Sequence, residues 1–472
     1  MLFRSLQQTA DIDDLQLLEY DIDDRQALMA TGTYTSGCCQ RVIGFKTACG
    51  LIIGLFFLNG LFDGYTHSIR IIFQSQKASY HQMSMYSFVK YPEIFKFVIA
   101  PLVDTYYFRS FGKSKTYLSI SSIMIALTCL VVSNYADDLI ANNYVALVSC
   151  MLIVINSFQA FYFMAATIWI VTLFTGEEEK TRGSLTKPIA DSIGKHLLTG
   201  LFIPLNSVKW LNNYVYSREH AVSQPCITHR HFFMFAGIGL LTIVGFVTLF
   251  VAEKRIELKS KLSFNIILKF SKKLLTNINL MKLTGFFVAF ECLHYLVTEL
   301  ISYKVMNAGF SKESAAIVDT CTIPITIVAG ILYQRYLRFG HLITAAHYMA
   351  AIWLISMLIK YSLAIKLEDD PSWPGAFWVY LLVNSIGALA TPLICLLAYL
   401  VHISDPRTSS TLIGIMLGIC QFAHMVPKSI SLFLAKYIDP DIIIITLKMI
   451  HFLALISLYK LARYLDTLKA AE

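Results

Sequence analysis

The residues best suited to chemistry in this sequence lie in an otherwise apolar stretch from 90 to 115. The stretch carries Lys90, Glu93, Lys96 and Asp104 and ends with Arg109, Lys113 and Lys115. Spacings of 3, 3 and 8 residues place the first four on one face of a single predicted helix. Because charges inside an apolar span are costly in lipid, this face is predicted to contact protein or a wet cavity.

The rest of the chain has the composition of an integral membrane protein. Of its 472 residues, 56% are hydrophobic and 15% are charged, and the mean hydropathy is +0.59. A bilayer span needs about 20 apolar residues, and about twelve such runs occur. The predicted fold class is therefore an all-α polytopic membrane protein with little room for a soluble domain. The net charge of +8 requires no nucleic-acid partner.

The predicted spans form two groups of six, separated by a long basic segment. The first six cover about 44–65, 84–108, 116–134, 144–174, 184–205 and 231–252, and the last six cover about 283–303, 314–334, 341–365, 375–402, 409–435 and 441–465. This order is typical of major facilitator transporters, whose two six-helix halves are pseudosymmetric. The predicted domains are an acidic, disordered cytoplasmic tail at 1–40, an N-terminal half at 41–252, a linker at 253–282, a C-terminal half at 283–465 and a tail at 466–472.

The positive charges of the linker and loops predict the orientation. In the linker, Lys and Arg alternate with apolar residues at helical spacing, which predicts a basic amphipathic helix on a membrane surface. With a cytoplasmic N-terminus, about twenty Lys and Arg residues fall in cytoplasmic segments, against about nine on the opposite side. Lys187 is counted there as a cytoplasmic loop residue and Arg70 as an opposite loop residue. Both termini are therefore predicted to be cytoplasmic.

Three further predicted helices have polar faces. The fifth carries Ser184, Pro188, Asp191, Lys195 and Thr199, the seventh carries Glu291, His294, Tyr295, Glu299 and Ser302, and the eleventh carries Thr411, Gly414, Gly418, Gln421 and Lys428, with His424 beside them. On the fifth helix, the spacing of Asp191 and Lys195 favours a helical ion pair. Ionisable groups inside a membrane predict a transport path, whereas internal pairing that holds helices together is the alternative.

No enzyme motif competes with this interpretation. The sequence has no Walker loop, no HExxH motif and no cysteine cluster at metal spacing, so neither a metal nor a cofactor is predicted. A membrane-bound acyltransferase remains an alternative, with His294, His347, His424 or His451 as its base.

Residues 91–118 combine Pro92, Lys96, an A-P-x-V-D run at 100–104 and an F-G-K-x-K run at 111–115. In this combination and spacing the chain resembles the acetyl-coenzyme A transporter family. Weaker likenesses extend the resemblance over most of residues 50–440, at Gln159, Ser207, Asn213, Tyr214, Ser404, Asp405, Pro406, Thr411 and Pro427.

The resemblance implies a multi-pass protein of the endoplasmic reticulum membrane that carries acetyl-CoA from the cytosol into the lumen by alternating access. Coenzyme A bears a pyrophosphate and a further phosphate, so its path needs fixed positive charge. The predicted substrate-binding residues are Lys96, Lys195, Lys428, Gln159, Gln421, Tyr295 and Tyr399, with the tyrosines stacking on adenine. The predicted gating residues are Asp104, Arg109, Gly112, Lys113 and Lys115, and the candidate proton carriers are Glu291, Glu299 and Asp319.

The chain departs from the family after Gln159. There the family usually has a Q-D-I-A-V-D-G-W run, and its two acidic positions are Ala160 and Met164 in this sequence. If those acids contact substrate or carry coupling, this protein does so differently. A carrier of another organic anion, a membrane-bound acyltransferase and a transport-dead receptor therefore remain alternatives, and coupling mode and oligomeric state stay open.

Overall fold

A computed structural model describes residues 45–108, 111–173, 177–216, 222–251, 278–336, 342–389 and 409–470, with isolated positions at 269, 271–272, 275–276, 396 and 400. The helices of the first half are α1 (Phe45–Ser75), α2 (Tyr80–Ser87), α3 (Lys96–Thr105), α4 (Lys113–Val132), α5 (Ala136–Ala141), α6 (Val145–Leu173), α7 (Glu177–Asn206), α8 (Val208–Tyr214) and α9 (His229–Phe250). Those of the second half are α10 (Ile278–Asn307), α11 (Lys312–Cys321), α12 (Ile323–Tyr336), α13 (Leu342–Asp369), α14 (Ala376–Leu389), α15 (Ser409–Leu434) and α16 (Pro440–Ala470).

Within the described ranges, eight helices are long and apolar enough to cross a membrane, by length and composition. They are α1, α4, α6, α9, α10, α13, α15 and α16. The remaining predicted spans coincide with helices that are broken, charged or short, namely α2 with α3, α7, α11 with α12, and α14. The all-α polytopic fold is confirmed, whereas the count of twelve spans and the domain boundaries stay predictions. The tail at 1–40 and nearly all of the linker lie outside the described residues.

The prediction of a single helix through residues 90–105 is wrong. A 3₁₀ turn at Phe88–Glu93 precedes α3, and the chain turns between them. Pro92 lies in the 3₁₀ turn, where its missing N–H and its ring are incompatible with a regular α-helix. Glu93 and Asp104 therefore do not share one helical face. A similar break separates α11 from α12, beside Pro324.

Two cations predicted in loops lie inside the helix bundle instead. Helix α1 continues to Ser75, so Arg70 belongs to a helix and not to a loop. Helix α7 begins at Glu177, and Lys187 is only 3% exposed. Without these two residues, the Lys and Arg total falls by one on the cytoplasmic side and by one on the opposite side. The excess on the cytoplasmic side, and the orientation predicted from it, are therefore unchanged.

Helices α1 and α7 approach each other so closely that glycine is required at the contact. A Cβ at Gly60 would lie 2.1 Å from the carbonyl oxygen of Asp191, and one at Gly64 would lie 2.4 Å from that of Lys195. On the opposite helix, a Cβ at Gly194 would lie 2.3 Å from the carbonyl oxygen of Phe57. This contact of small residues holds the polar face of α7 against α1.

Replacing Gly194 with alanine is expected to lower stability by about 1–3 kcal/mol, the usual cost of overpacking, because two helix backbones must separate. The measurement is the thermal unfolding midpoint in detergent. Gly239→Ala is the matched control, since a Cβ at Gly239 meets no atom within 4 Å and alanine favours a helix. An equal midpoint for the two variants would contradict the close approach.

Contacts between turns define the two ends of the bundle. At one end, called the Lys77 end, the hydroxyl of Tyr303 donates to the carbonyl of Ala78, and Ser207 Oγ donates to Glu313 Oε1 at 2.8 Å. At the other end, called the Gly112 end because α4 begins directly after Gly112, Lys115 Nζ donates to the carbonyl of Thr248 near the end of α9 at 3.3 Å. Both ends therefore hold contacts between distant parts of the chain.

Candidate functional site

A polar network lies inside the N-terminal half, although apolar helices surround it. Gln159 on α6 donates through Nε2 to Asn59 Oδ1 at 3.0 Å and to Asp63 Oδ1 at 2.9 Å, both on α1. Asn59 in turn donates to Asp191 Oδ1 at 2.7 Å, which links α1 to α7. The buried amides thus connect two acidic side chains through one chain of hydrogen bonds.

Ion pairs continue this network toward α3. Lys90 pairs with Asp63, and its Nζ lies 3.2 Å from Glu93 Oε1. Lys96 Nζ lies 2.9 Å from Glu93 Oε2 and 3.8 Å from the ring centre of Phe163. Lys96, a predicted substrate-binding residue, is therefore already neutralised by a carboxylate, and an anionic ligand must compete with Glu93 for it.

A second group of charges joins the two halves and is called the cross-half cluster. On the α1 side it contains His67 and Arg70, and on the C-terminal side it contains Glu299, Asp319 and Lys428. Glu299 Oε1 accepts from the Arg70 guanidinium and from Lys428 Nζ, the latter at 2.8 Å. His67 Nε2 lies 3.1 Å from Asp319 Oδ2. Of the three predicted proton carriers, Glu299 therefore makes an ion pair across the halves and Asp319 makes a hydrogen-bond contact across them.

A third group joins the halves nearer the Gly112 end and is called the cross-half latch. Asp104 Oδ2 accepts from the backbone N–H of Thr411 at 2.8 Å and from its hydroxyl at 2.6 Å, while Oδ1 pairs with Lys113. Thr411 lies in the first turn of α15, whose free N–H groups and dipole favour a carboxylate. Gly112 precedes α4 with φ of 97°, a conformation that suits glycine.

The remaining predicted gating residues are Lys115 and Arg109. Lys115 is buried and donates to the carbonyl of Thr248 on α9 at 3.3 Å. That contact holds α4 against α9 within the N-terminal half. Arg109 lies outside the described residues.

Close packing of α3 on α15 supports the latch. A Cβ at Gly414 would lie 2.2 Å from the Cβ of Ala100, and one at Gly418 would lie 2.9 Å from the carbonyl oxygen of Ile94. Both glycines were predicted on the polar face of the eleventh span. Here they allow the helices of opposite halves to touch.

Lys195 on α7 is half-buried and makes no hydrogen bond or ion pair with any described residue. Its charge acts on His67, His424 and Lys428, so helices of opposite halves bring Lys195 and Lys428 into electrostatic range. The helical ion pair predicted between Asp191 and Lys195 is absent from the described contacts. Asp191 is directed to Asn59 instead, because the close approach of α1 places that amide beside it.

The remaining predicted residues lie in the C-terminal half. Tyr295 stacks on His424 with ring centroids 3.5 Å apart, so one of its faces is already covered. Gln421 is half-buried, and its Oε1 has no partner among the described residues. Tyr399 lies outside them. Glu291 is 1% exposed, and neither of its carboxylate oxygens has a described partner, which makes it the least compensated of the predicted proton carriers.

Sequence reasoning missed Arg70, His67 and Lys187. The run Ile69 to Phe73 around Arg70 is apolar and could have extended the first span past it. For Lys187, the helical spacing to Asp191 was the available signal, but the neighbouring charges suggested a loop. Among the described residues, no group of three metal-ligating side chains comes together.

The sequence is similar to that of a transporter family. Residues 49–278 match the family described as Acetyl-coenzyme A transporter 1. An uncharacterized protein of Schizosaccharomyces pombe is 22% identical over 406 residues, which cover 81% of this chain and 73% of that protein. The matched region contains nearly all of α1 and the whole of α2 to α9, with the N-terminal network and the Asp104 side of the latch.

Solved structures share the fold at low sequence identity. The human organic anion transporter MFSD10 (TETRAN) matches with a TM-score of 0.57 and 12% identity, over 86% of this chain and 99% of that one. The Major Facilitator Superfamily transporter FucP, in the outward conformation, matches with a TM-score of 0.55 and 16% identity, over 89% of this chain and 99% of that one. This chain is therefore a multi-pass membrane protein with the major facilitator fold, and its residues 49–278 match the family described as Acetyl-coenzyme A transporter 1.

Proposed function

We propose that this protein carries acetyl-CoA from the cytosol into the lumen of the endoplasmic reticulum by alternating access, and that it is not an enzyme. The observation that carries the substrate proposal is the family match over residues 49–278, which includes the A-P-x-V-D and F-G-K-x-K runs. The Gly112 end is the cytoplasmic end in this proposal, in accord with the excess of Lys and Arg in the segments assigned to that side.

The two cross-half contacts supply a mechanism. The latch closes the path near the Gly112 end, and the cross-half cluster closes it toward the Lys77 end. Each contact joins a helix of one half to a helix of the other, so each must break when the halves rock about a central site. Opening one side while the other stays closed then exposes the site to one compartment at a time.

Lys428 connects substrate binding to this gate. Its ammonium group contacts Glu299 at 2.8 Å, and Glu299 also holds Arg70 of the other half. A phosphate that binds Lys428 competes with Glu299 for the same ammonium group. Because Lys428 and Glu299 belong to the same half, this competition leaves the contact between Glu299 and Arg70 in place as a link between the halves. Substrate bound at Lys428 therefore changes the charge balance of the cross-half cluster.

Lys195 is the predicted phosphate-binding residue whose ammonium group has no described partner to displace. Lys195→Gln is expected to weaken substrate binding by about 1.5–3 kcal/mol, the range for a hydrogen bond to a charged group. The measurement is acetyl-CoA affinity of the purified protein by calorimetry.

Two further variants test how Lys195 acts. Lys209→Gln is the control, because Lys209 is exposed on α8. This variant should bind acetyl-CoA with the same affinity as the unchanged protein. The double change Asp191→Asn with Lys195→Gln should bring no recovery, since Asp191 is held by Asn59. Full recovery in the double variant would show that Lys195 only neutralises Asp191.

Counterflow in proteoliposomes tests the function itself. Vesicles loaded with unlabelled acetyl-CoA should accumulate labelled acetyl-CoA, whereas loading with acetate, nucleotides or folates should not drive accumulation. Protein-free vesicles and the Lys195→Gln variant serve as controls. Acetyl transfer to lipid or protein without uptake would contradict the carrier and favour an acyltransferase.

A carrier of another organic anion is the second candidate. The observation that favours it is the pair Ala160 and Met164, which replace the acidic residues usual in the family. Both side chains are buried, and Ala160 packs with Ile99 and Val103. Accumulation driven by a different anion in the same counterflow assay would select this candidate.

A further inference from the structure

One aromatic ring of the N-terminal half contacts two buried lysines. The ammonium groups of Lys96 and Lys187 each lie 3.8 Å from the ring centre of Phe163, so they are no more than twice that distance apart. Both lysines are at most 3% exposed. Lys187 also lies 5.0 Å from the ring centre of Phe56. Two like charges this close are costly in a membrane interior unless something compensates them.

The compensation of the two lysines is unequal. Lys96 pairs with Glu93 at 2.9 Å. Lys187 donates to the hydroxyl of Thr167 at 2.8 Å, and no described carboxylate contacts it. Asp191 lies one turn further along α7 but accepts from Asn59 on the α1 side. Among the described residues, the buried amino group of Lys187 therefore rests on a neutral hydroxyl and two aromatic rings.

The helix that presents Phe163 cannot supply the missing negative charge. Helix α6 contains no Asp or Glu between Val145 and Leu173. Its residues on either side of Phe163 that could reach the lysines are uncharged, including Ala160, Met164 and Thr167. Among the described residues no carboxylate contacts Lys187, so a negative charge there would come from a rearranged neighbour, from a residue outside the described ones or from a ligand.

We propose that Lys187, together with Lys96 across Phe163, forms an anion subsite for a phosphate or pyrophosphate group of the transported substrate. The proposal rests on the proposed function and adds a residue and a ligand group to its site. A charge-assisted hydrogen bond to phosphate is stronger than an ammonium contact with a ring, so phosphate displaces Phe163 from Lys187. Thr167 keeps the ammonium group in place until then.

The position of Lys187 on α7 explains how one substrate could use two anion sites. Lys187 and Lys195 are eight residues apart on the same helix, which corresponds to about 12 Å along its axis. Lys187 lies nearer the Gly112 end, the proposed cytoplasmic entrance, and Lys195 lies deeper, in range of Lys428. A substrate with two separated phosphate groups fits such an arrangement better than a monoanion does.

The test is binding of inorganic pyrophosphate and of adenosine bisphosphate to the purified full-length protein by calorimetry. Lys187→Gln is expected to weaken both about tenfold or more and to reduce the dependence of binding on salt, since one charge contact is lost. Lys187→Arg keeps the charge and should remain within about threefold of the unchanged protein. Lys448→Gln is the matched control, because Lys448 is a buried lysine on a helix of the other half.

The outcomes separate this proposal from the proposed function. Pyrophosphate binding that depends on Lys187, in a protein that fails to exchange acetyl-CoA, supports the subsite and contradicts the acetyl-CoA carrier. If the unchanged protein exchanges acetyl-CoA and folded Lys187→Gln binds pyrophosphate as tightly as the unchanged protein, the subsite is overturned. The acetyl-CoA carrier then stands. If Lys187→Gln does not fold, Lys187→Met removes the same charge, and its pyrophosphate affinity decides between the same two outcomes. Absence of any pyrophosphate binding to the unchanged protein also overturns the subsite.

Discussion

Asp104→Asn is expected to lower transport turnover about 100-fold while substrate affinity stays nearly unchanged. Asp104 joins Lys113 of its own half to the first turn of α15 in the other half. Removing one partner of a buried ion pair costs about 3–5 kcal/mol, because the other charge remains buried. An asparagine can still accept from Thr411, but it leaves Lys113 without this neutralising charge. The closed state at the Gly112 end is thereby destabilised.

Rates of acetyl-CoA uptake at several concentrations separate kcat from KM for this variant. Asp138→Asn is the control, because it makes the same substitution at an exposed residue on the short helix α5. Lys113→Arg should keep most of the turnover, since it retains the charge opposite Asp104. A loss confined to affinity would instead place Asp104 in the binding site.

Glu299→Gln is expected to lower transport by a similar factor, because Glu299 lies in the cross-half cluster toward the Lys77 end. Glu299 is 4% exposed and is the shared partner of Arg70 and Lys428. Its neutral amide leaves two half-buried cations side by side with no carboxylate between them, and breaking a pair at such a buried carboxylate costs about 3–5 kcal/mol. Because Arg70 belongs to one half and Lys428 to the other, their repulsion opposes closure toward the Lys77 end. We expect uptake to fall about 100-fold.

A second change distinguishes repulsion from general damage. Adding Lys428→Gln to Glu299→Gln removes one of the two cations and should shift the balance of open and closed states back toward closed. Distances between spin labels on α1 and α10 measure that balance, independently of substrate binding by Lys428. Glu368→Gln is the control, because Glu368 pairs with Lys304 at 3.3 Å while 48% exposed, where an ion pair contributes little. Equal effects of Glu299→Gln and Glu368→Gln would contradict a gate at Glu299.

The sequence by itself determined the class of the protein and singled out several charged residues inside its apolar spans. Apolar runs of bilayer length leave α-helices as the structure that satisfies the backbone of a chain like this one, and the structure is helical in its described ranges. Asp104, Glu299 and Lys428 could be singled out because charged residues inside apolar spans are costly and so predict contacts within the protein. Helical spacing then showed which other polar residues share a face with them. The 91–118 motif also pointed to the family whose model matches residues 49–278.

Only the tertiary structure decided which charges meet. Pro92 breaks the second span, so Glu93 pairs with Lys90 and Lys96 while Asp104 reaches Thr411 in the other half. Arg70 and Lys187 became visible as helix residues inside the bundle only because α1 is ten residues longer than predicted and α7 is seven residues longer at its start. The physical reason is that periodicity describes one helix at a time. Contacts between helices depend on where backbones approach closely, as at Gly194 and Gly414, and on where a helix breaks.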